Sequence, residues 1–140
     1  MSVRQIEQND YYKGYLNLIN QLFKLGNLNI SYDEFGEILT NISSQNSYIY
    51  VIEENNQIIA TGKIFIEQKS HGSKMGNIQD VVTDNNYRKF GNGKRIINQL
   101  VEIGKQNGCY KIVLNCNAEN IEFYQKCGFK QKGVEMCIYN

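Results

Sequence analysis

Two periods of hydrophobicity run along this chain, and the places where one gives way to the other mark out the elements of a fold. From Tyr48 to Glu53 apolar and polar residues alternate; the pattern turns at Asn55-Asn56 and resumes from Gln57 to Gln68. That spacing predicts a β-hairpin. Gly76 to Thr83 continues as a further strand. Lys111 to Cys116 is too short and too β-branched for a helix, so it reads as a strand buried on both faces. Helical spacing governs the rest. Tyr12, Tyr15, Leu16, Ile19, Leu22 and Phe23 form a core-facing stripe within Tyr11 to Leu25, closed by Gly26-Asn27. Ser31 and Glu34 have the spacing of a capping box, which predicts a second helix to about Ser43. Ile96, Ile97, Leu100, Val101 and Ile103 give an apolar face to a helix that starts after Gly93 and closes near Asn107-Gly108. Asn120 to Cys127 reads as a short helix, Gly128 breaks it, and Phe129 to Tyr139 reads as a last strand. With a short strand at Val3 to Ile6, the order is β-α-α-β-β-β-α-β-α-β. This predicts an α/β (α+β) fold, a single mixed sheet with helices on its faces. The 140 residues fit one domain, 1–140.

Composition narrows the class of partner. A net charge of +1 with interspersed signs lacks the basic stripe of a nucleic-acid surface. Apolar runs are too short to cross a membrane, and the N-terminus has no apolar core of a signal peptide. The expectation is a soluble, cytoplasmic protein with neither nucleic acid nor membrane as partner. Cys109, Cys116, Cys127 and Cys137 lie seven, eleven and ten positions apart, beside one histidine, His71. That spacing predicts no metal site and no disulfide framework; the cysteines read as small hydrophobes.

The chemistry concentrates in one stretch. Arg88-Lys89-Phe90-Gly91-Asn92-Gly93 follows a β-branched run and opens a helical pattern. Its glycines permit a tight corner, and the first N–H groups of the helix have no intrahelical acceptor. With Arg88, Lys89, Lys94 and Arg95 around it, the corner suits an anion, a pyrophosphate best of all. A tight strand-to-helix turn carrying solvated charges is the bland alternative.

The corner resembles the Arg/Gln-x-x-Gly-x-Gly/Ala signature of the GNAT superfamily of N-acetyltransferases. Asn120 to Lys130 is similar to that superfamily's later Asn-x-x-x-Phe-Tyr-x-x-x-Gly-Phe element. From Gly76 to Met136 the chain resembles the glucosamine-6-phosphate N-acetyltransferases almost throughout, and it does so more loosely in Ala60 to Lys69. The resemblance implies the GNAT fold and transfer of an acetyl group from acetyl-CoA to the amine of glucosamine 6-phosphate. That is a step toward UDP-N-acetylglucosamine. It also implies a homodimer whose C-terminal strands exchange, each substrate pocket being built partly by the neighbour.

Roles follow by the same resemblance. The N–H groups of Arg88, Lys89, Phe90, Gly91, Asn92, Gly93 and Lys94 would hold the CoA pyrophosphate, and Val81 or Val82 would donate to the oxyanion. Asn120 would contact CoA, and Tyr124 would give its proton to the leaving thiolate. Asp80 would orient the substrate. Lys69, with His71 or Lys74, would meet the sugar phosphate. At several positions the chain departs from the family. Gln79 stands before Asp80 where a glutamate is usual, Asn115 replaces an acid, and Tyr139 stands where an arginine often meets the phosphate. The threonine expected near Phe23-Lys24 is not evident. Gln79 and Asn115 can hydrogen-bond an acceptor but cannot take its proton. Two other readings therefore stay open: acetyl transfer to another amino sugar or small amine, and a non-catalytic acyl-CoA-binding protein of the same fold.

Overall fold

The computed structural model describes residues 2–140. Five strands form one sheet in the order β1-β2-β3-β4-β5. These are β1 (Arg4–Gln5), β2 (Ser47–Glu54), β3 (Gln57–Gln68), β4 (Lys74–Thr83) and β5 (Cys109–Leu114). The first four pair antiparallel with their neighbours and β5 pairs parallel to β4, so the sheet is mixed. The hairpin between β2 and β3 turns where expected. Asn55 and Asn56 take φ of 52° and 61°, the left-handed pair that matches the twist of the flanking strands.

Helices cover both faces. On one side lie α1 (Tyr15–Phe23) and α2 (Tyr32–Ser44); Tyr15, Leu18 and Phe35 pack there against Ile49, Val51, Ile58 and Val82. The capping box at the start of α2 is formed: Ser31 Oγ accepts the Glu34 N–H at 3.1 Å and Glu34 accepts the Ser31 N–H at 3.2 Å. On the other side α3 (Asn92–Gln106) buries Ile96, Ile97 and Leu100 against Ile52, Ile59, Ile64 and Ile78. The short α4 (Ile121–Lys126) follows, its Tyr124 leaning on the same cluster.

Three expectations need correction. The stripe from Tyr11 to Leu25 is not one helix. A 3-10 segment runs from Gln8 to Lys13, Gly14 turns the chain in the left-handed region, and α1 stops at Phe23 with Lys24 as its left-handed cap. The change of helix type rotates Tyr12 away from the buried Tyr15 and Leu18, and Leu22 and Phe23, in the last turn of α1, are exposed. Second, the strand around Lys111 is an edge of the sheet and no residue of β5 is fully buried. Third, Phe129 to Tyr139 forms no strand: Val134, Met136, Ile138 and Tyr139 are about nine-tenths exposed. Their alternation is that of a strand, but within this chain no edge receives them.

Candidate active site

The site is generated by a flaw in pairing. Thr61 faces Val82 and Lys63 faces Gln79, so the single residue Gly62 opposes both Asp80 and Val81. This is a β-bulge, and Asp80 carries its strain at φ 57°. Packing requires a glycine at position 62. A methyl group there would lie 2.7 Å from Ile96 and 2.9 Å from Leu100, both fully buried on α3.

Beyond the bulge β4 loses its other neighbour. The last rung with β5 is Ile78–Leu114, yet β4 runs on to Thr83. Two parallel strands thus part at their C-terminal ends, leaving the edge of Gln79 to Thr83 unpaired on that side. The N–H of Asp84 is bonded to the Ile59 carbonyl on β3 at 2.8 Å. Alternation then turns the N–H of Val82 toward β3 and that of Val81 toward the gap. Of the two donors named from the sequence, Val81 is the one so placed.

The anion corner stands at the mouth of this gap. Gly91, at φ 81°, is the residue before α3 and supplies no side-chain cap, and no acid occupies the first turn. The Arg95 N–H returns to the Gly91 carbonyl at 3.1 Å, so the N–H groups of Asn92, Gly93 and Lys94 have no acceptor in the helix. Lys89 takes φ 72°, a left-handed turn just before Gly91 that gathers main-chain N–H groups inward. Phe90 is exposed. Arg88 donates through Nε to the Thr83 carbonyl at 3.3 Å. Asn92 is buried, with its side chain bonded to the Tyr87 carbonyl at 3.2 Å, so it offers an anion its main chain alone.

Tyr124 is brought to the same place by α4. A Cβ added to Gly93 would sit 3.3 Å from the ring of Phe123, and Phe123 and Tyr124 meet edge to face at 5.0 Å. Val81 and Leu114, on the two strands that part, lean on the same cluster as Tyr124. Burial pushes the Tyr124 hydroxyl up to about 12, with Cys116 and Cys127 adding to the rise, so it keeps its proton at neutral pH. Asn120 is exposed immediately before α4.

Gln79 and Asn115, adjacent to the last paired rung, flank the fork of the gap and are both exposed. Asp80 pairs with Lys63 at 3.5 Å and borders a cavity of about 240 Å³ lined by Tyr15, Leu16, Ile19 and Phe35. Lys69, His71 and Lys74 are not brought here. They sit where β3 passes to β4, some seven residues of strand from Val81, roughly 23 Å away. Lys69 is engaged by Glu67 at 3.0 Å, and His71 packs on Tyr110 at 5.8 Å. Tyr139 lies on the exposed tail. Reasoning from sequence missed Gly62, Lys63 and the bulge. An isolated glycine inside an alternating strand was the available signal.

Chemically, the gap can hold an extended chain against a free strand edge, the corner can hold its anionic end, and Tyr124 can donate a proton between them. A scan against family models matches residues 4–129 to the acetyltransferase (GNAT) family. Glucosamine 6-phosphate N-acetyltransferase 1 of Dictyostelium discoideum is 40% identical over 145 aligned residues, covering 99% of this chain and 90% of that protein. The crystal structure of glucosamine-6-phosphate N-acetyltransferase from Arabidopsis thaliana superposes with a TM-score of 0.92 at 37% identity, covering 99% of this chain and 97% of that one. An acetyltransferase structure from Trypanosoma brucei gives 0.91 at 29% identity over 99% of both chains.

Proposed function

The chain belongs to the acetyltransferase (GNAT) family, and from that premise we propose that it transfers acetyl from acetyl-CoA to the 2-amine of glucosamine 6-phosphate. The products are N-acetylglucosamine 6-phosphate and CoA. The observation that carries this reading is likeness over whole chains to proteins with that named activity, 37–40% identical in Dictyostelium, rice and Arabidopsis. The geometry agrees with it: a corner for the pyrophosphate, a strand edge for the pantetheine arm and a protonated tyrosine beside the gap.

The reaction is a direct attack in a ternary complex. The amine nitrogen adds to the thioester carbonyl, and the Val81 N–H receives the charge developing on its oxygen. Collapse forms the amide and breaks the C–S bond, with the Tyr124 hydroxyl giving its proton to the departing thiolate. The attacking nitrogen must also lose a proton. Gln79 and Asn115 cannot accept it, and Asp80 is already paired with Lys63. Asp80 therefore orients the acceptor, and water in the open gap takes the proton.

The sugar phosphate needs cations, and Lys69, His71 and Lys74 are too distant in the same chain to provide them. They serve the pocket of a second copy in a homodimer, in which the tail from Val134 to Tyr139 finds its missing edge. We read 1–140 as one domain working in the cytoplasm, on the route to UDP-N-acetylglucosamine. A second reading, another amine as acceptor, draws on the amides at Gln79 and Asn115 and the apolar cavity beside Asp80. Release of CoA from acetyl-CoA, followed with glucosamine 6-phosphate, unphosphorylated glucosamine and a panel of small amines, separates the two. Turnover confined to the phosphosugar is expected; turnover confined to another amine would replace the assignment.

A further inference from the structure

One buried carboxylate near the corner has no cation among its hydrogen-bond partners. Asp84 directly follows β4 and is 8% exposed. Its side chain accepts the Asn86 N–H at 2.9 Å and the Gln21 side-chain N–H at 3.0 Å. Its own N–H donates to the Ile59 carbonyl at 2.8 Å, and its carbonyl accepts the Tyr87 N–H at 2.9 Å. The Tyr87 carbonyl in turn accepts the side chain of Asn92, the first residue of α3, at 3.2 Å. A continuous run of hydrogen bonds therefore links α1, through Asp84 and the turn Asn85–Tyr87, to the helix whose N–H groups make the corner.

Gln21 shows that this link is maintained against a cost. A carboxylate only accepts, so the Gln21 amide must turn its NH2 toward Asp84. Its Oε1 is then buried without a partner. An orphaned buried acceptor is unfavourable, and either a simple cap or a solvent-facing glutamine would avoid it.

We propose that Asp84 is a positioning residue that sets the shape of the anion corner for the CoA pyrophosphate, with Gln21 fastening that shape to α1. This rests on the reading of acetyl-CoA as donor. Asp84 touches no reacting atom. It fixes the Asn85–Tyr87 turn, and the turn fixes Asn92.

The test compares two donors. S-acetylpantetheine carries the thioester but no pyrophosphate, so it does not use the corner. Asp84→Ala is expected to raise KM for acetyl-CoA about fivefold to tenfold, the usual scale for losing a helix-cap carboxylate. It should leave kcat/KM with acetylpantetheine and KM for the acceptor unchanged. Asp84→Asn should recover most of the loss, because the amide oxygen still accepts from Asn86 and Gln21 can turn over to meet the new NH2. Gln21→Ala, the milder change, should raise KM for acetyl-CoA about twofold to threefold by the same donor-selective pattern; it carries the test should Asp84→Ala not fold. Equal losses with both donors, or an unchanged KM for acetyl-CoA, would overturn the proposal while leaving acetyl transfer intact. Failure of the unaltered protein to bind acetyl-CoA by calorimetry would instead overturn the donor assignment, and this proposal with it.

Discussion

The residues up to Gly104 and those after it are built to different standards. The first stretch holds every buried residue of the described chain, from Asp10 to Gly104. It closes on ionic contacts as well as apolar ones: Arg4 meets Asp10 at 2.7 Å and Glu53 at 2.8 Å, and Lys13 meets Glu53 at 3.0 Å. The second stretch carries β5, α4, Tyr124 and the tail, yet no residue of it is fully buried. Stability and chemistry are thereby divided. The early part is a finished scaffold that raises the bulge and the corner, whereas the late part carries Tyr124, the proton donor of the proposed mechanism, and, under the proposed dimer, is completed by a second copy.

Substitutions should divide along the same line. Arg4→Ala leaves the Asp10 carboxylate, fully buried, without its cation. Such losses cost about 3–5 kcal/mol, and the low end applies because Arg4 is itself 28% exposed. Denaturant unfolding should show a drop of about 3 kcal/mol with no change in KM for either substrate in the fraction that remains folded. Tyr124→Phe should do the reverse, lowering kcat roughly a hundredfold while the unfolding midpoint hardly moves. A kcat within twofold of the original would remove Tyr124 from the mechanism.

Gly62→Ala tests the join between the two parts. The added methyl group would press on Ile96 and Leu100, where overpacking costs about 1–3 kcal/mol. If α3 shifts to relieve it, KM for acetyl-CoA should rise as well. A stable variant with unchanged KM would show that the close approach of α3 to the bulge is not needed.

The smallest effects are in pH. Glu53 is held below the usual carboxylate range, first by the hydrogen bond from Arg4 and then by that from Lys13. A depressed folded value gives stability that is complete above the unfolded value and lost as pH falls through the folded one. The acid fall in Tm should therefore flatten in Glu53→Gln. Tyr124, pushed up to about 12, should contribute no falling limb to the kcat profile below about pH 10.

What could be read beforehand follows from range along the chain. The capping box of Ser31 and Glu34, the Asn55-Asn56 turn and the face of Ile96, Ile97 and Leu100 are local patterns, and each is realised. The bulge was not legible, because it arises only when Gly62 meets Asp80 and Val81 across a strand pair. The contact of Gln21 with Asp84 spans 63 positions and leaves no periodic trace. The tail expected as a last strand shows the opposite limit. Its alternation is plain in Val134, Met136 and Ile138, but alternation specifies a face and not the chain that supplies the edge.

The solution mass tests that contrast most directly. Sedimentation equilibrium of the full chain should give particles of twice its 16.2 kDa mass. Ile138→Asp should shift them toward single chains and, in step, abolish turnover of glucosamine 6-phosphate while leaving acetyl-CoA binding largely in place. Single chains of 16.2 kDa that acetylate the phosphosugar at an undiminished rate would contradict the account.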